Sequence, residues 1–153
     1  MEITLREITK NNWRECVDLK VAPEQEKFVA PNLFSIAEAK FEPDWRPLAI
    51  YAGETMVGFT MVGQDERDGS YWIIRLMVDT AYQGRGYGRA AMKEVIRQLK
   101  QKPDCREIKI SFVPENVAAE KLYFGLGFER TGLIEDGEVV LRLVFNSPSY
   151  ADI

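Results

Sequence analysis

The sequence predicts an α+β fold in which a mixed, mostly antiparallel sheet of about seven strands carries helices on both faces and a splayed parallel pair at its centre. Three observations lead there. Period-two runs at 2–8, 48–52 and 57–61 read as half-buried strands. The almost unbroken apolar run Tyr71 to Val78 reads as a strand covered on both faces. Met92, Val95, Ile96 and Leu99 fall on one helical stripe, with Lys93, Glu94, Arg97 and Gln98 facing away. The resulting order is strand, two helices, three strands, helix, strand, helix, two strands. Two strand–helix crossovers flank the middle of that sheet, and parallel strands that diverge there leave a crevice at their carboxyl ends, the usual ligand site of such sheets.

Residues 2–8 form an edge-type strand. Asn12 with Glu15 three positions on offers a capping pattern, opening a helix that ends before Pro23 and buries Trp13, Cys16 and Val17. Ala22 to Asn32 is a loop or helical turn. Ser35 to Glu38 repeats the capping pattern and starts a second short helix, which stops near Phe41 because Pro43 follows. Leu48, Ile50 and Ala52, a Gly53-Glu54 turn, then Val57, Phe59 and Met61 describe an antiparallel hairpin. Gln64 to Gly69 turns the chain into Tyr71–Val78, where Arg75 is the one charged residue and reads, taken alone, as a solvated side chain. Residues 86–101 form the amphipathic helix, with Pro103 beyond its end. A strand Glu107–Val113 follows, then a helix from near Asn116 with Ala119, Leu122, Tyr123 and Leu126 on one face, then strands around Phe128 and Val139–Phe145. Residues 1–146 are expected to make one domain and 147–153 a tail.

The composition narrows the chemistry. With 24 acidic and 20 basic side chains the net charge is −4, which disfavours nucleic acid as a partner and suits a cationic one. Histidine is absent, which removes every mechanism built on an imidazole base, so protons must move through Glu, Asp, Tyr, Lys, Cys or water. Cys16 and Cys105 stand outside any metal-ligand spacing and read as reduced thiols of a cytoplasmic protein with no metal. No apolar run approaches the roughly 20 residues of a membrane span.

Gln83-Gly84-Arg85-Gly86-Tyr87-Gly88 lies between the apolar strand and the amphipathic helix. Glycines there let the backbone turn tightly, while the free N–H groups of the helix's first turn attract phosphate. Arg89 follows where a nucleoside-triphosphate loop would have lysine, and the loop does not follow the first strand, as it would in a dinucleotide fold.

The pattern Gln-x-x-Gly-x-Gly after an apolar strand resembles the acetyl-CoA motif of the GNAT superfamily of N-acetyltransferases, and the run Asn116 to Phe128 resembles its second signature. This resemblance implies the GNAT fold and transfer of acetyl from acetyl-CoA to a primary amine by direct attack in a ternary complex. It implies that the backbone of Leu76, Met77 and Val78 pairs with the pantetheine arm, and that Gln83, Gly84, Arg85, Gly86, Tyr87, Gly88 and Arg89 hold the pyrophosphate. Asn116 and Ala119 would border the pantetheine, and Tyr123 would protonate the leaving thiolate as the catalytic acid. Read without the motif, Tyr123 is a core aromatic and Asn116 a helix cap.

Within the family the chain further resembles bacterial spermine/spermidine acetyltransferases, through Leu19 to Val21, Gln25, Phe28, Asn32, Ser35, Pro47 to Tyr51 and Val57 to Phe59. That implies a polyamine or diamine acceptor, with Glu24, Gln25, Glu26, Phe28, Trp72 and Ile74 as candidate substrate-binding residues. In those relatives a carboxylate commonly occupies the position of Ile74, so proton removal here goes through water or an acid from elsewhere, such as Glu24, Glu26 or Glu115. Acetylation of another amine (an aminoglycoside, an amino acid, a protein amino terminus) and acyl-CoA binding without turnover are the alternatives. Exposed strand edges near the carboxyl terminus leave room for a homodimer.

Overall fold

The structure, a computed structural model, describes residues 2–145, so the expected tail at 147–153 lies outside it. The elements are β1 (Ile3–Glu7), α1 (Trp13–Asp18), a 3-10 turn (Pro23–Gln25), α2 (Asn32–Phe41), β2 (Arg46–Ala52), β3 (Thr55–Gln64) and β4 (Tyr71–Val78). After a second 3-10 turn (Thr80–Tyr82) come α3 (Tyr87–Lys100), β5 (Glu107–Phe112), α4 (Val117–Gly125), β6 (Glu129–Glu135) and β7 (Glu138–Val144). The seven strands form one sheet in the order β1-β2-β3-β4-β5-β7-β6. All neighbours run antiparallel except β4 and β5. This is the expected α+β architecture.

The core lies on both faces of the sheet. Met92, Val95, Ile96 and Leu99 of α3 and Tyr123 of α4 pack with Ile73, Ile108, Ile110, Phe112 and Leu141 on one face. Cys16 and Leu19 pack with Ala49, Phe59, Met61 and Met77 on the other, joined by Ile36 of α2 and Trp45. The stripe of α3 is fully internal, as its period requires.

Four local expectations are corrected. Asn12 does not cap α1 with its side chain; its Oδ1 accepts from the Thr9 N–H at 2.7 Å and its Nδ2 donates to the Glu7 carbonyl at 3.0 Å, fastening the turn after β1. Only Cys16 of the supposed stripe is buried, and Trp13 is 37% exposed, because six residues are too few to press a whole face onto the sheet. Ser35 does not open α2, which begins at Asn32 behind Pro31, with its fixed φ. Ser35 is instead an interior helix residue with a buried hydroxyl that finds no partner among the described residues. Finally, Tyr71–Val78 is not covered throughout: Ile74, Arg75, Leu76 and Val78 are only half-buried.

Gly58 of β3 lies where a Cβ would strike the Met77 carbonyl oxygen of β4. Because that obstacle is backbone, Gly58→Ala must push the two strands apart. The substitution is expected to cost about 2 kcal/mol, within the range for overpacking, and to lower Tm by roughly 4–8 °C. Calorimetric melting checks this, and an unchanged Tm contradicts the tight approach.

Candidate active site

The site originates in a mismatch between two strands. β4 and β5 pair only at Tyr71 with Ile108, Trp72 with Lys109 and Ile73 with Ile110, yet β4 runs on to Val78. The register of β3 against β4 slips at this point, from Met61 opposite Arg75 to Val62 opposite Ile73, leaving Ile74 as the extra residue of a β-bulge. A bulge sharpens the strand's twist and re-aims its side chains. Here it sends both Ile74 and Arg75 to the α1/α2 face, where Ile74 joins the core and Arg75 Nη2 donates to Glu38 Oε1 of α2 at 2.8 Å. Arg75 is therefore half of a partly sheltered ion pair and not a solvated charge. Beyond Ile73 the β5-facing edge of β4 has no strand partner, and a cleft of about 670 Å³ opens there between β4 and the segment Ile110–Val113.

The glycine loop closes one end of this cleft. Gly84 and Gly86 have φ of +78° and +83°, values that side-chain-bearing residues rarely adopt, and Gly86 leads directly into α3. A Cβ at either would meet no atom, so the loop presents bare backbone to open space in front of a helix amino terminus. The side chain of Gln83 is turned inward: its Nε2 donates to the Val78 carbonyl and to Gln25 Oε1, both at 2.9 Å. Gln25 Oε1 also accepts from the Ala22 N–H at 3.0 Å. One amide thus ties the loop to the end of β4 and to the segment between α1 and α2.

From the opposite wall, Asn116 Oδ1 caps α4 by accepting from the Ala119 N–H at 3.2 Å, and Asn116, Ala119 and Tyr123 all line the cleft. Tyr123 is 7% exposed and stands edge-on to Phe112, with ring centroids 6.2 Å apart. Burial, with the neighbouring Glu138 carboxylate adding to it, pushes its hydroxyl well above the ordinary tyrosine range, so it stays a protonated phenol at neutral pH. Tyr123 is at once a core aromatic and a cleft residue.

On the α1/α2 face a second pocket of about 390 Å³ shares Ile73, Ile74, Arg75, Ser111 and Glu138 with the cleft. Glu42, Asp44, Asp65, Glu66, Glu135 and Glu138 border it, together with Trp45 and Trp72. Its two cations are both engaged, Arg75 with Glu38 and Arg67 with Asp65 at 2.9 Å. Hydrogen bonding from Arg67 holds the Asp65 carboxyl below its usual range. The pocket therefore carries a surplus of negative charge beside two indole faces, the chemistry that attracts an aliphatic cation.

Residues 5–128 match the model of the acetyltransferase (GNAT) family. The chain belongs to that family. As a member it is an acetyl-CoA-dependent N-acetyltransferase. It is 29% identical over 148 residues to the spermine/spermidine N(1)-acetyltransferase of Bacillus subtilis (strain 168), covering 92% of this chain and 97% of that one. The spermidine N-acetyltransferase of Vibrio cholerae, solved with CoA and spermine, superposes with a TM-score of 0.75 at 15% identity over 94% of this chain and 95% of that one. The aminoglycoside acetyltransferase AAC(6')-Ib, solved with coenzyme A and kanamycin, superposes at 0.79 with 16% identity over 96% and 97%. The fold is thus shared by enzymes whose acceptors differ.

The cleft fits acetyl-CoA, which supplies the activated acetyl group. Bare backbone at Gly84 and Gly86 suits a pyrophosphate, and the open β4 edge suits an extended arm of amide groups. Among the residues expected to bind it, Leu76, Met77, Val78, Gln83, Gly84, Gly86, Tyr87 and Gly88 line the cleft. Arg85 and Arg89 do not; the Arg85 guanidinium lies 5.7 Å from the Tyr82 ring centroid, and Arg89 borders a separate groove beside Gly125. Gln25, Glu26 and Phe28 line the cleft, Glu24 is exposed outside it, and Trp72 belongs to the acidic pocket, with Ile74 at the junction. Ser111, Glu138 and the acidic set had no motif to mark them. Among the described residues no helix is long and apolar enough to cross a membrane.

Because a side chain at Gly86 meets no protein atom, Gly86→Asp should fold with a Tm only a few degrees lower, from the strained φ. Its carboxylate would stand at the helix amino terminus, where the pyrophosphate would sit, and acetyl-CoA affinity should fall at least about tenfold. Titration calorimetry decides, and wild-type affinity in the folded variant would remove the loop from the binding site.

Proposed function

We propose that the protein acetylates a primary amine of a linear polyamine or diamine such as spermidine or spermine, by direct attack within a ternary complex. The observation that carries this reading is the acidic, tryptophan-bordered pocket joined to the cleft at Ile74. One ammonium of the acceptor is held among Glu42, Asp44, Glu66 and Glu135 with its methylenes against Trp45 and Trp72, so that the other amine reaches the cleft. The names of the Bacillus and Vibrio relatives support the same substrate class. Ile74, which offers no carboxylate, favours a second reading in which another amine, such as an aminoglycoside, an amino acid or a protein amino terminus, is the acceptor. We further place the protein in the cytoplasm, consistent with Cys16 and Cys105 both being free buried thiols.

Orientation does most of the chemical work in this reading. A neutral amine attacks a thioester readily once aligned, and alignment alone removes a large part of the barrier. The Gln83–Gln25 bond keeps the acceptor-side loop and the cofactor loop in register. Tyr123 donates its proton to the departing thiolate, and Phe112 and Phe128 on either side keep its ring in place.

Two outcomes follow. In an assay of CoA release, the double variant Glu42→Gln with Glu66→Gln should raise KM for spermidine roughly fivefold, the sum of two partly solvated ion pairs, and leave KM for an alkyl monoamine unchanged; equal shifts for both would move recognition elsewhere. Tyr123→Phe should lower turnover by roughly 10²-fold with acetyl-CoA affinity nearly constant. Melting and turnover are measured on one preparation, and full activity in the folded variant would leave Tyr123 a packing residue.

A further inference from the structure

Ile74 leaves the site without a proton acceptor on β4, and the sequence suggests Glu24, Glu26 or Glu115 in its place. None is well located. Glu24 and Glu115 are exposed and outside both cavities, and Glu26 lies on the segment between α1 and α2, away from the junction with the acidic pocket.

The geometry points to Glu138, the first residue of β7, as the carboxylate that takes the proton from the acceptor ammonium. This assignment rests on the reading that the acceptor is a cationic amine. Among the described residues Glu138 is the one carboxylate that lines the acidic pocket and the cleft alike, and it stands where the two join. Its Oε1 accepts from the Ser111 hydroxyl at 3.1 Å, which holds the head group and leaves Oε2 free. Strand alternation fixes its side. Val139 and Leu141 of β7 pack into the α3/α4 core, so Glu138 and Val140 face the α1/α2 side, from which the acidic pocket opens. Tyr123 belongs to the α3/α4 core. The proton acceptor and the proton donor therefore reach the cleft from opposite faces of the sheet.

The charged and titratable groups around Glu138 are few in kind. Tyr123 lines the same cleft from α4, Arg75 of β4 lines both cavities with it, and Glu135 occupies the paired position on β6. Across the pocket stand Asp65, Glu66 and Arg67 of the β3–β4 turn and Glu42 and Asp44 before β2. Arg75 and Arg67 are bound to Glu38 and Asp65, so neither neutralises Glu138.

The step balances. Glu138 takes one ammonium proton, and the freed lone pair forms the new C–N bond. The C–S bond breaks with its electron pair on sulfur, which takes the Tyr123 proton. The second amine proton returns to the Tyr123 oxygen, so one proton leaves on Glu138 for each acetyl moved.

The test compares wild type, Glu138→Gln and Glu138→Asp with spermidine from pH 7 to pH 10, following CoA release, with melting and acetyl-CoA calorimetry on the same preparations. Glu138→Gln should lose roughly 10²-fold in kcat at pH 7 with acetyl-CoA affinity intact, and the deficit should shrink as pH nears the amine pKa of about 10.4, where solution has already removed the proton. Glu138→Asp, which keeps a carboxylate, should recover part of the loss. A deficit equal at every pH, a rise in KM alone, or wild-type turnover in Glu138→Gln each overturns the assignment while the wild type remains an active polyamine acetyltransferase. A wild type that releases no CoA with any diamine overturns the substrate reading, and this assignment with it.

Discussion

The site depends on one constraint: β4 and β5 hold each other for three residue pairs and then part. Parallel pairing is a little weaker than antiparallel pairing, and both strands have antiparallel neighbours on their other sides, β3 and β7, to anchor them. The bulge at Ile74 adds twist at the position where pairing ends, so the strands separate instead of bending back together. The candidate site is arranged around that gap. The glycine loop stands at the end of β4, α4 leaves from the end of β5, and the acidic pocket adjoins the cleft where pairing fails.

A gap at the centre of a sheet must be braced from outside. On the α1/α2 face, Asn32 Nδ2 donates to the Cys16 carbonyl at 2.9 Å, and Asp79 Oδ1 accepts from the Lys20 N–H at 2.8 Å. Gln83 extends the same bracing across the cleft mouth. These are polar contacts between segments distant in sequence. They hold α1, α2 and the segment between them to the chain that follows β4.

The long elements were legible in the sequence because their periodicity reports burial directly: α3 and the β2–β3 hairpin lie where the patterns put them. The glycine loop between β4 and α3 was legible because its features are local, with strand end, glycines and helix start consecutive. The capping contacts of the short helices were not. In Asn12 and Ser35 a capping pattern was present, but Asn12 found stronger local partners, and Ser35 was carried inside a helix that Pro31 had already begun. The acidic pocket was hidden for another reason. Glu42, Asp65 and Glu138 are far apart in the chain and meet only through the register of five strands, which composition does not encode. The acids nearest the substrate-like motif, Glu24 and Glu26, drew attention by proximity in sequence alone.

The unpartnered edge of β4 also bears on how long the molecule survives between turnovers. Beyond Ile73 the backbone groups on the β5 side of β4 have no strand to pair with, although Arg75 Nη1 donates to the Ile74 carbonyl and Gln83 Nε2 to the Val78 carbonyl. An extended ligand that bonded this edge would act as a missing strand, one that only the folded chain offers a place. Folding equilibrium is then linked to the supply of the acyl carrier: at a hundredfold excess over its dissociation constant such a ligand adds about 2.7 kcal/mol. The enzyme's resistance to unfolding, and hence its abundance, would rise and fall with the same metabolite that sets its rate.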